Sequence, residues 1–135
     1  MRRIVFDIET CAYPFESLSE SQQEYLLRYS EKESEDEKKM QKRDDAIRYL
    51  SLYPLTAKAI AIGIYHLEKD KTYVYYENEK QEEWTAVEKH VHYKGLPERE
   101  MIQSFWRIVD YCDQVITFNG RNFDIPFLMI RSALL

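Results

Sequence analysis

The chain of 135 residues reads as a single α/β domain, a mixed sheet with flanking helices, and three observations predict it. Residues 57–65 (AKAIAIGIY) are apolar on both faces, as a central strand is. A polar turn then leads into 72–76 (TYVYY), so the two strands form an antiparallel hairpin. Residues 97–112 carry apolar side chains at spacings of three and four, the stripe of a helix packed on a sheet.

The first element is a strand, Ile4-Val5-Phe6-Asp7-Ile8-Glu9-Thr10. Successive strand side chains alternate, so Asp7 and Glu9 share one face while Phe6 and Ile8 share the other. Two acids on one face repel, and a strand end would tolerate them, with Thr10, Cys11, Ala12 and Pro14 as the loop beyond. They are either solvated there or hold a divalent cation.

Residues 17–29 predict a helix, since Ser17 with Glu20 and Ser21 with Glu24 have capping-box spacing and Leu18, Tyr25, Leu26 and Tyr29 can form an apolar side. Residues 30–45 are almost all charged, with Met40 the lone apolar side chain. They predict a solvated helix laced with i,i+4 pairs, weakly held in its middle. Ile47, Tyr49, Leu50, Leu52 and Tyr53 rejoin the core, and Pro54 ends the helix.

In the strand 57–65, Ile60, Ile62 and Ile64 lie on one face and Ala59, Ala61 and Gly63 on the other, a small face that predicts close packing. His66 and Asp70 flank the following turn, where they read as ordinary turn residues. Residues 78–95 are polar and irregular. His90 and His92 are too few for a zinc site, and Trp84 and Tyr93 either tack the segment onto the core or stack on a base.

Pro97, Glu98 and Glu100 open the main helix, whose stripe is Met101, Ile102, Phe105, Ile108, Val109 and Cys112. A short buried strand, 115–118, follows. Asn119-Gly120 marks a tight loop, and Asp124 is placed to cap a last helix with Pro126 just inside its start.

The net charge of −5, from nineteen basic and twenty-four acidic residues, leaves any nucleic-acid surface to a local basic patch. Cys11 and Cys112 match no metal or redox spacing and read as reduced thiols of a cytosolic protein. No signal-peptide pattern opens the chain and no run approaches the ~20 apolar residues of a membrane span. A soluble cytoplasmic protein is expected.

Phe6-Asp7-Ile8-Glu9-Thr10 resembles the first motif of the DEDD 3′-5′ exonucleases, and residues 117–128 (TFNGRNFDIPFL) resemble the second. The likeness is to the DNA polymerase B-like group, where an Asn-Gly loop leads into Phe-Asp-x-Pro-Phe-Leu and an Arg follows, here Arg131. It runs from Arg3 to Leu135, with residues of about 15–53 as a charged, helical insertion.

The resemblance implies a ribonuclease H-like fold and hydrolysis of phosphodiesters at the 3′ end of single-stranded nucleic acid, DNA favoured, with two Mg²⁺ or Mn²⁺ ions. Hard cations take oxygen ligands, hence acids. By motif, Asp7, Glu9 and Asp124 would be the catalytic metal ligands, and Thr10, Asn119 and Phe123 would position the terminal nucleotide. Family members carry a third motif, a Tyr or His followed four residues later by an Asp, which supplies the fourth carboxylate and the general base. His66 and Asp70 have that spacing in the wrong context. A C-terminally incomplete, impaired exonuclease is therefore expected, and the alternative is a catalytically weak nucleic-acid- or metal-binding module.

Overall fold

The computed structural model describes residues 1–88 and 90–135. The chain forms two compact units, Met1–Thr10 with Ala59–Leu135, and Cys11–Lys58. The first is built on a six-stranded mixed sheet, consistent with a ribonuclease H-like fold.

The strands are β1 (Arg3–Ala12), β2 (Ala57–His66), β3 (Lys71–Glu77), β4 (Glu82–Thr85), β5 (Val91–Leu96) and β6 (Gln114–Ile116), in the order β4-β5-β3-β2-β1-β6. The expected hairpin is present: β2 and β3 pair antiparallel from Ala61↔Tyr76 to His66↔Lys71. β6 lies parallel to β1, with Ile4 opposite Val115.

Of the four α-helices among the described residues, α3 (Glu98–Tyr111) and α4 (Asp124–Leu134) belong to this unit. Met101, Ile102 and Phe105 of α3 are buried, as the stripe requires, and Phe105 packs its ring 4.7 Å from that of Phe6. Each such side chain contributes about 1.5–3 kcal/mol by leaving water.

The unit Cys11–Lys58 holds α1 (Glu20–Leu27) and α2 (Asp36–Arg48) around a small cluster of Phe15, Leu27 and Leu50. The charged stretch is helical, and α2 buries no residue. Its ion pairs are Lys39 to Glu31, Lys42 to Glu33 and two at i,i+3, Lys38 to Glu35 and Arg48 to Asp45, rather than the expected i,i+4 ladder. The capping box of α1 is Ser19 with Gln22, two residues from each expected pair, because Ser17 is used in a preceding 3₁₀ turn, where its hydroxyl donates to the Pro14 carbonyl.

Four further expectations are corrected. Residues 78–95 are not irregular: they contain β4 and β5, where Trp84 stacks on Tyr93 at 4.0 Å and donates to the Tyr76 hydroxyl. The two rings bind the sheet edge together, each covering one face of the other.

The last strand stops at Ile116, and Phe118, expected to be buried, is 93% exposed. β1 continues to Ala12, so Asp7 and Glu9 sit within a strand, tolerated because their face is exposed. Close packing over the small face of β2 is found at buried Ala59 but not at Gly63, where a Cβ would meet nothing within 4 Å.

Candidate active site

On β1 the alternation is strict: Ile4, Phe6 and Ile8 are buried, and Asp7 and Glu9 are both exposed on the opposite face. Thr10, next on the strand, is half-buried. The core side chains thus fix where the carboxylates emerge.

The other acid comes from the far end of the sequence. Asp124 is the first residue of α4, only 2% exposed, and it does not cap the helix; Phe123 occupies the cap position without a side-chain hydrogen bond. Its Oδ2 has no hydrogen-bond partner. Burial pushes the Asp124 carboxyl above the usual carboxylate range, and the negative charge of Asp7 pushes it further. The backbone amides of Asp124 and Ile8 and the Thr117 hydroxyl draw it part of the way back, although buried Thr117 Oγ1 closes no well-directed hydrogen bond. Two residues 117 apart in sequence therefore feel each other's charge across this site.

The loop that delivers Asp124 is tightly specified. Asn119 adopts a positive φ of 54°, a conformation Asn accepts more readily than most residues. Its carbonyl accepts from the amides of Asn122 and Phe123, both at 3.1 Å, and its Oδ1 from the Asn122 side chain at 3.1 Å. Gly120 is required by space, since a Cβ there would lie 1.9 Å from Thr117 Cγ2. Ile116, Thr117, Asn119, Arg121 and Asn122 line an open groove of about 460 Å³.

Phe123 is half-buried, its ring 5.6 Å from that of Phe127. Beside Asn119 stands exposed Phe118, which sequence reasoning assigned to the core.

A buried ion pair supports α4 from behind. Arg131 donates through Nε and Nη2 to both oxygens of Glu98, at 2.7 and 2.6 Å, and Glu98 Oε1 also accepts from the Ala59 amide at 3.0 Å. Glu98, read from sequence as a first-turn charge, is instead the joint between α3, α4 and β2. Nothing in its local sequence distinguishes it from Glu100.

His66 and Asp70 take no part here. His66 lies edge-on to Tyr73 at 5.4 Å, and Asp70, at φ 49°, accepts from the Tyr65 hydroxyl. Among the described residues no three His, Cys, Asp or Glu side chains are gathered closely enough to hold a metal ion. What fits a cation is narrower: a buried carboxylate oxygen without a partner, beside a second carboxylate that raises its proton affinity.

Residues 54–135 match the model of a family of predicted 3′-5′ exonucleases related to the exonuclease domain of PolB. The chain belongs to that family. The matched stretch includes Asn119, Phe123, Asp124 and Arg131, while Asp7, Glu9 and Thr10 precede it. No curated protein matches the sequence significantly. Membership in an exonuclease-related family implies a nucleic-acid substrate. No helix among the described residues is long and apolar enough to cross a membrane. Cys11 and Cys112 are both free thiols.

Proposed function

We propose that this chain is a divalent-metal-dependent 3′-5′ exonuclease acting on single-stranded nucleic acid, with Asp7, Glu9 and Asp124 as metal ligands. The observation that carries this reading is the unpartnered, buried Oδ2 of Asp124 under the charge of Asp7. An electrostatic cost of that kind persists in a fold when a cation relieves it. A pair of Mg²⁺ or Mn²⁺ ions bound there would activate the attacking water and stabilise the departing 3′ oxygen.

The chain's own residues do the rest. The Asn119-Gly120 turn leads Asp124 into the first turn of α4 and itself lines the open groove. The Asn119 side chain spends its carbonyl on Asn122, which leaves its NH₂ group to donate to the terminal nucleotide. Phe118, exposed next to that donor, offers a face on which a base can stack. Phe123, packed on Phe127, would lie beside that nucleotide, and Thr10 lies half-buried on the same strand as the two exposed acids.

The test is the shortening of a 5′-labelled single-stranded oligonucleotide. With Mn²⁺ or Mg²⁺ the chain is expected to yield a ladder shortened from the 3′ end, silenced by EDTA. Asp7→Asn or Asp124→Asn should lower the rate about 10²-fold or more, since a metal supplies several kcal/mol of transition-state stabilisation. Binding of the oligonucleotide without shortening under either ion, unchanged in Asp7→Asn, would mark a binding module instead.

A further inference from the structure

A second cavity, of about 360 Å³, lies at the other end of β1, where the N-terminal residues meet the β2–β3 turn and the last turns of α3. Its size is that of small-ligand sites, and its walls are mostly apolar and aromatic with a few charges. Tyr73 and Tyr75 pair with Ile64 and Ile62, whose side chains are buried, so both rings lie on the sheet face opposite Asp7 and Glu9. Tyr111 closes the cavity from α3.

The aromatic walls have partners of their own. Tyr73 is held edge-on by His66 and stacked against His92 at 5.2 Å, and the Arg2 guanidinium lies 5.0 Å over the Tyr111 ring. Burial, reinforced by the charge of Lys69 and partly opposed by that of Glu68, lowers the pKa of His66.

Charge here runs against the rest of the molecule. Arg2, Arg3, Lys69 and Arg107 line the cavity against a single acid, Glu68, in a chain of net charge −5. Arg3 is committed to Glu68 at 2.6 Å and Arg2 to Asp113 at 3.5 Å. Lys69 and Arg107 make no ion pair among the described residues, and Arg107 is exposed. Two cations without ion-pair partners beside tyrosine rings suit a planar aromatic molecule bearing an anionic group.

We propose that this cavity is a nucleotide-binding site separate from the carboxylate site, the base lying against Tyr73 and Tyr111 and the phosphate held by Arg107 and Lys69. Its occupant is a nucleotide unit, either a free 5′-mononucleotide or one residue of a strand.

Nuclear magnetic resonance titration of the full chain with AMP, in EDTA, tests it. Saturable shifts should appear at Tyr73, Arg107 and Tyr111 and leave residues 119–124 unmoved. Arg107→Ala, an exposed substitution, should weaken AMP roughly 10-fold or more, the loss expected for a hydrogen bond to a charged group. Adenosine and inorganic phosphate should each bind more weakly than AMP. Displacement of AMP by an oligothymidylate would identify the occupant as part of a strand, and failure to displace it would identify the free nucleotide. The proposal is overturned if AMP gives no saturable shifts, if the shifts fall on residues 119–124, if phosphate alone binds as well as AMP, or if Arg107→Ala binds AMP like the wild type. Asp7→Asn should bind AMP normally, so loss of exonuclease activity and loss of this site are separable.

Discussion

The two units of the chain are held together by different physics. The sheet unit closes over fully buried side chains, Ile4, Ile62, Ile64, Met101, Phe105 and Leu128 among them, and inserts an ion pair, Glu98 with Arg131, into that interior. Of its hydrophobic side chains the Cys11–Lys58 unit buries only Phe15, Leu27, Leu50 and the small Ala57, and leaves Tyr25, Tyr29, Met40, Tyr53 and Leu55 exposed. Its charged helix is tied down by surface ion pairs, which contribute at most about 1 kcal/mol each. The residues we assign to catalysis all lie on the densely packed scaffold, and the buried Glu98–Arg131 pair anchors α4, the helix that carries Asp124.

That contrast can be broken most directly at Arg131. Arg131→Met leaves Glu98 as an unpaired buried charge and should cost about 3–5 kcal/mol in chemical denaturation. Replacing both partners, Arg131→Met with Glu98→Leu, should recover much of it, because a well-packed apolar pair is often as stable as the ion pair. A double variant as unstable as the single one would mean that the Ala59 amide, and not the pair, is the important contact.

The second experiment weakens the other unit. Leu50 is 1% exposed at the centre of the small cluster, and Leu50→Ala should cost about 2–5 kcal/mol there. Hydrogen exchange should show faster amides in α1 with little change in β2 and α3. Equal loss of protection in both units would end the distinction between them.

The smallest effect concerns the surface of the sheet unit. Hydrogen bonds from Arg3, first its side chain and then its amide, hold the Glu68 carboxyl down at about 2. A depressed acid stabilises the fold above its ordinary pKa, and that contribution fades as pH falls toward the folded-state value. The stability difference between wild type and Glu68→Gln should therefore be constant near neutrality and close between about pH 4.5 and 2. A difference independent of pH would assign the contact to packing alone.

Much of this could be read from residues in line. The alternation of Ile4, Phe6 and Ile8 with Asp7 and Glu9 survives unchanged, and the stripe of α3 is the buried one. Local period carries this information, because a strand or helix must hide one face. What escaped depends on partners distant in sequence. β4 is exposed throughout and pairs through its backbone, so its side chains carry no burial signal. Phe118 continues an apolar run whose strand had already ended, and only the fold shows that its ring faces water. Glu98 and Arg131 are 33 residues apart, and each looks like a surface charge until the other is found. At the site, the Asn-Gly turn was legible, while the isolation of Asp124 Oδ2 was not.

The position of β1 in the sheet also bears on how the chain reaches this state. It lies between β2, reached only after residue 57, and β6, which begins at Gln114, so the first strand synthesised is among the last to be completed. Its pairings span most of the sequence, which slows folding because loop-closure entropy is lost before the contacts form. Residues 114–116 pair only with Arg3–Val5, so the edge of β1 at Asp7 and Glu9 lies beyond the stretch that β6 covers. Two negative charges on such an edge discourage it from pairing with a neighbouring chain. The acids proposed to bind metal would thus also guard that edge against pairing with another chain.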